Sequence, residues 1–245
     1  MLIVNADDVG ASGRATDAAV IAFDEGLISS CSAMVWMRDG DRAARLLREH
    51  GLPAGLHLNL TVPFDAPDVP PAVRERQLWL TEYFDSGSWR DDVNEKPARD
   101  LVRDAISDQL ARFAETYGDR THLDGHHHVH VHEAVLRELP RGAAIRPILR
   151  EPARLDARPN RRERRLRRRF RTPAVTLAFE HLHPDLGGVG LNALDRLDGS
   201  YVEVMVHPLQ PGQLEALRST QWRTTLSATR CGSYAALADG DQSDR

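Results

Sequence analysis

Short apolar runs alternate with helix-patterned stretches along most of the chain, and this alternation limits the possible folds more than any other feature. Leu2 to Ala6 is an apolar run followed by the turn residues Gly10, Ser12 and Gly13. Ala15, Ala18, Ala19, Ala22 and Phe23 then share one helical face, with Gly26 as a stop. The same reading gives strands at Cys31 to Met37 and Gly55 to Leu60, with a helix at Asp41 to His50 between them. A long amphipathic helix through Val102, Ile106, Leu110, Phe113 and Tyr117 follows. Beyond it come strands at Thr121 to Asp124, Ala144 to Leu149 and Tyr201 to Val206, with helices at Glu133 to Leu139 and Gln213 to Leu217. Repeated β-α units predict an α/β fold with a mostly parallel sheet or barrel.

With 245 residues, 41% of them hydrophobic, the chain has material for a real core. We read residues 1–238 as a single domain and 239–245 as a frayed polar tail. A formal charge of −4 argues against a chain that binds nucleic acid with its whole surface. Cys31 and Cys231 are too far apart in sequence to suggest a metal-type pair, and two thiols make no disulfide framework. No stretch approaches the roughly 20 apolar residues of a membrane span, and the N-terminus lacks a basic region before an apolar one. The expectation is a cytoplasmic protein without membrane segments.

Three polar clusters fall at or after the C-terminal ends of predicted strands, the edge where parallel α/β folds bind ligands. The first is Asp7-Asp8, whose neighbouring carboxylates stay ionised more easily beside a cation. Taken alone, the pair would cap the following helix. The second is His57 with Asn59, which share a strand face opposite Leu56, Leu58 and Leu60. The third runs from His122 through Asp124 to His126, His127, His128, His130 and His132. An extended chain would line Asp124, His126, His128, His130 and His132 on one side, an alternation that fails at a loop or helix start, so not all can be ligands. One carboxylate and two imidazoles leave coordination positions open for water and substrate, as a hydrolytic metal site requires.

The segments NADDVG, GLHLNLT, THLDGHHHVH and VMVHP occur in the order found in the YdjC-like carbohydrate deacetylase family, which the chain resembles from residue 3 to about residue 210. The resemblance implies a single-domain (β/α) barrel-like fold, often dimeric, that removes an acetyl group from an N-acetylated sugar or oligosaccharide. It matches Asp8, His57 and His126 to metal ligands and Asp7 to the catalytic base. His207 falls where a family histidine approaches the active site, and is the first candidate to protonate the leaving amine, with His128 behind it. A structural histidine before Pro208 is the alternative. The cofactor is one divalent ion: two imidazoles and a carboxylate suit zinc, whereas the family has been assigned magnesium. Asn59, Asp124 and His128 are the remaining substrate-contact candidates at that edge.

Two segments break the alternation. Thr61 to Pro97 is too long for an ordinary connection, and its Trp79 and Trp89 could offer sugar platforms or pack in a satellite aromatic cluster. Arg158 to Arg171 carries nine arginines and leaves open a non-catalytic, nucleic-acid-binding reading. Hydrolysis of another acyl or phosphate ester is the enzymatic alternative. The segment Gln221-Trp-Arg-Thr-Thr-Leu-Ser departs from the family pattern, which leaves the last helices undefined.

Overall fold

The strands β1 (Leu2–Val9), β2 (Ser30–Ala33), β3 (Ala54–Leu58), β4 (Leu123–Gly125), β5 (Val175–Ala178) and β6 (Val202–Val206) form one curled, wholly parallel sheet. Their order is β4-β3-β2-β1-β6-β5. The structure is a computed structural model that describes residues 1–86, 96–155, 160–197 and 200–239. It is the single α/β domain that the β-α alternation predicts. The edge strands β4 and β5 are linked by the irregular segment 143–150. Leu123 N donates to Ala144 O at 2.8 Å, Ile145 N to Arg171 O at 2.8 Å, and Arg150 N to Thr176 O at 2.9 Å. The strand expected at 144–149 is thus a set of isolated bridges. Pro147, which has no N–H to donate, interrupts a regular ladder there.

Nine helices are described: α1 (Gly13–Asp24), α2 (Gly40–His50), α3 (Pro71–Asp85), α4 (Lys96–Tyr117), α5 (Glu133–Glu138), α6 (Arg161–Arg169), α7 (Gln213–Arg218), α8 (Thr220–Ala228) and α9 (Ala235–Asp239). Local chemistry sets their ends. Ser12 caps α1 by accepting from Ala15 N, and Gly51 closes α2 in the left-handed conformation. Asn160 and Glu163 form a reciprocal capping box on α6. Among the described residues no helix is long and apolar enough to cross a membrane, and both cysteines are free.

The strands divide the core in two. Leu2, Val4, Ala6, Cys31, Ala33, Leu56, Leu58, Leu123, Val175, Leu177, Val202, Val204 and Val206 are buried in the main hydrophobic cluster with the helices. The alternate residues Asn5, Asp7, Ser32, His57, Asp124, Thr176 and Glu203 are also buried, yet polar. They bond to one another across the concave face. Period-2 alternation therefore separates two kinds of buried surface, apolar outward and hydrogen-bonded inward.

Several sequence expectations need correction. β2 ends at Ala33 rather than Met37, and Trp36 turns the chain with φ of 54°. The connection Thr61 to Pro97 contains α3, which begins with Pro at its first position, where a missing N–H is tolerated. The segment Gln221 to Ser227 is helical within α8, with Trp222 wholly buried against Phe179. Of the expected tail, Asp239 ends α9, and 240–245 lie outside the described residues.

Candidate active site

The site begins where β1 loses its regular pairing. Register with β2 shifts between Ala6 and Val9, and Asp8 adopts a left-handed φ of 66°. A regular strand would send Asp7 and Asp8 to opposite faces; the irregularity brings both carboxylates to one edge. Their surroundings differ. Asp7 is buried and held by Arg146, whose Nη1 and Nη2 donate to its two oxygens at 2.5 Å each, while Asn5 Nδ2 donates to Oδ1 at 2.9 Å. Asp8 is partly open, with 31% of its side chain exposed. Burial works to raise its carboxyl pKa, but His57, His207 and His126 hold it well below the usual carboxylate range.

His57, on β3, lies between two carboxylates. Its Nδ1 donates to Asp124 Oδ1 at 2.7 Å, and its Nε2 lies 3.2 Å from Asp8 Oδ1. Burial opposes a charge on this ring, yet Asp124 and Asp7, with Asp8, push it up to about 10. Asp124 is fully buried behind it, accepting from Ser32 Oγ at 2.6 Å and lying 2.7 Å from Arg146 Nη2. Expected to meet substrate, Asp124 is bonded to His57, Ser32 and Arg146 and orients the His57 ring.

The histidine tract divides by role. His126 begins a tight turn after β4; its Nδ1 pairs with Thr61 Oγ1 at 2.7 Å and its ring meets His57 edge-on at 5.9 Å. His127 and His128 both have left-handed φ, 51° and 56°, and His127 lies against His126 at 3.9 Å. Such backbone in two successive β-carbon residues is strained and persists only where its surroundings enforce it. His122 and His130 are wholly buried and serve the scaffold. His122 Nε2 contacts Ser32 Oγ at 2.9 Å, and His130 Nε2 donates to Arg146 O at 3.2 Å. His207, just past β6, reaches toward the same edge, with Nε2 3.9 Å from Asp8 Oδ2.

Among the described residues, one group brings its ligand atoms close enough together to hold a cation, and a second is suggested by its donor types alone. Asp7, His57 and Asp124 offer ligand atoms within 4.8 Å of one another, all buried. However, Asp7 and Asp124 already hold Arg146, so an ion there would sit against a guanidinium. On the Asp8 side, Asp8 Oδ1 has His57 Nε2 at 3.2 Å and, among the described residues, no guanidinium. His57 Nε2 faces it with Nδ1 already committed, and the Nδ1 of His126 is committed to Thr61. One carboxylate and two imidazoles oriented by neighbours are donor types that a divalent ion takes, without a guanidinium against them.

The remaining expected residues lie as follows. Asn59 is fully buried past the end of β3, accepting from Thr61 N and Val62 N and donating to Val62 O at 3.0 Å, so its amide shapes the loop rather than facing a ligand. His128 is half-buried beside His130. Trp79 is 40% exposed on α3 and stacks on Tyr83 at 5.0 Å. Phe64 packs on Trp36, and Phe84 on Tyr83, and these rings join the main core rather than a separate satellite cluster. Trp89 lies outside the described residues, as does Arg158 of the arginine run. The sequence reading missed Arg146, Glu203, Ser32 and Thr61. A lone acid within the apolar strand VEVMV, and a lone arginine in AAIRPI, were the signals available.

Comparison with known proteins agrees with this architecture. The model of the family described as YdjC-like protein matches residues 1–243. A carbohydrate deacetylase from Geobacillus stearothermophilus is 33% identical over 214 residues, covering 84% of this chain and 78% of the relative. A chitooligosaccharide deacetylase from Serratia marcescens is 32% identical over 221 residues, covering 85% and 81%. Among solved structures, one from Enterococcus faecalis V583, named for cellobiose-phosphate cleavage, superposes with a TM-score of 0.67. It covers 96% of this chain and 98% of its own at 19% identity, a likeness of fold.

Proposed function

The chain belongs to the YdjC-like protein family, and we propose that it is a metal-dependent carbohydrate deacetylase acting on an N-acetylated sugar or oligosaccharide. The observation that carries the reading is the unequal treatment of two adjacent carboxylates. Asp7 is gripped by Arg146, whereas Asp8 is partly exposed and among the described residues meets only imidazoles, with Oδ1 3.2 Å from His57 Nε2 and Oδ2 3.9 Å from His207 Nε2. Asp8, His57 through Nε2, and His126 would hold one divalent ion, Mg²⁺ or Zn²⁺. When bound, such an ion polarises the acetamide carbonyl and lowers the pKa of a nearby water.

The chain's own groups complete the chemistry. Asp7 takes the proton of the attacking water as its oxygen bonds to the acetyl carbon. The Arg146 fork holds that carboxylate in place during the transfer. Asp124 holds the Nδ1 proton of His57, so the Nε2 proton is the one that an ion would displace. His207 gives a proton to the sugar nitrogen as the carbon–nitrogen bond breaks, so acetate and a free amine leave. The test is acetate release from N-acetylchitooligosaccharides, alongside phosphate and acetyl ester controls, before and after chelation. The reading expects release that chelator abolishes and added metal restores, and that Asp7→Asn loses while keeping its metal. Ester or phosphate cleavage without acetate release from the amide would overturn it.

A further inference from the structure

The end of the chain returns to the start of β1. Leu2 N donates to Arg230 O at 2.8 Å and Gly232 N to Leu2 O at 3.0 Å, forming a parallel bridge between Leu2 and Cys231. This return places Tyr234, fully buried, against Ile3 and Ala144 on the concave side of the sheet. Its hydroxyl donates to Glu203 Oε2 at 2.7 Å. Its ring stacks on His122 with centroids 3.9 Å apart and planes 11° from parallel.

We propose that Tyr234 is a positioning residue that braces both halves of the site from beneath. This rests on the reading of Asp7 as the group that takes the proton. One arm runs through the hydroxyl. Glu203 accepts from Arg146 Nε at 2.9 Å through Oε1, and from Thr176 Oγ1 at 2.6 Å through the oxygen that Tyr234 also bonds. The same guanidinium grips Asp7 with its two remaining nitrogens. The other arm runs through the ring to His122, then Ser32 at 2.9 Å, Asp124 at 2.6 Å and the Nδ1 of His57 at 2.7 Å. A residue needed only to fill space between Ile3 and Ala144 would be better apolar, because a hydroxyl buried there costs free energy unless it is bonded. The hydroxyl therefore serves Glu203. Three buried carboxylates share one guanidinium here, so neutral donors such as Tyr234, Thr176 and Ser32 fix where each carboxylate rests.

The two arms separate experimentally. Tyr234→Phe removes the hydroxyl and keeps the stack; Tyr234→Leu removes both. In the zinc-loaded full chain, hydrogen exchange of the Arg146 Nε–H by NMR reports the grip directly. Steady-state acetate release from N-acetylchitooligosaccharides reports its use. Tyr234→Phe should speed that exchange about tenfold and lower kcat about tenfold, with KM within about twofold and zinc affinity unchanged. Tyr234→Leu should in addition weaken zinc binding. Unchanged exchange in Tyr234→Phe, or altered exchange with unchanged kcat, overturns the proposal. Absence of acetate release from the unaltered protein overturns the deacetylase reading instead, and the exchange rate then still decides whether Tyr234 holds the guanidinium.

Discussion

The guanidinium of Arg146 meets the carboxylate of Asp7 fork to fork, with both nitrogen–oxygen pairs at 2.5 Å and both side chains buried. The two residues are 139 positions apart in the chain. A planar fork fixes a carboxylate in orientation as well as in place, which a lysine ammonium cannot do.

Arg146→Lys should therefore keep the fold and lower kcat by about 10²-fold, with metal content unchanged. Arg146→Met leaves Asp7, Asp124 and Glu203 buried without their shared cation, and should cost about 3–5 kcal/mol in urea unfolding. A methionine variant of normal stability would mean that the three carboxylates are not charged together.

Asp124 acts on His57 from behind. Asp124→Asn should weaken zinc binding about 10–100-fold in a competition titration, because an amide fixes the imidazole tautomer less well. Equal affinity would place the ion away from His57.

The histidines predict a stability optimum in the metal-free protein. Burial, the largest cause, lowers His122, His126 and His128 to about 4 and His130 to about 3. Their contribution is whole above the unfolded value of 6.5 and is lost as pH falls through those values. His57 runs the other way. Raised to about 10, it contributes fully below 6.5, and that contribution is lost as pH rises through 10. Tm measured with chelator should peak near neutral pH and fall on both sides, more steeply in acid. A flat acid limb would show that these rings are not buried neutral.

Gly55 makes room for the scaffold of the site. A β-carbon there would lie 2.4 Å from the His122 ring. Gly55→Ala should destabilise by about 1–3 kcal/mol, read by urea unfolding, and should disturb the stack of His122 on Tyr234. Full stability would mean that the ring moves freely.

The groups gathered at the sheet edge were legible in the sequence because each falls at the end of a strand. Asp7 with Asp8, His57 after an apolar run, and His126 in its tract each mark the end of a strand, and β-α alternation gives the sheet that gathers them. The supporting residues were not legible. Arg146 takes its partners from β1, β4 and β6, and Tyr234 meets Glu203 across 31 residues, so no local period records either. Alternation places Asp124 and Asn59 on a strand face, but does not record that each side chain there is already bonded. Helix α3 was hidden by the prolines that begin it, and β5 is a four-residue strand following the arginine run.

The side of His57 that holds the ion decides which carboxylate can act as the base. Anomalous diffraction from zinc-loaded crystals tests this directly. The expected peak lies among Asp8, the Nε2 of His57 and His126, with Arg146 still on Asp7. A peak between Asp7 and Asp124, with Arg146 displaced, would contradict it.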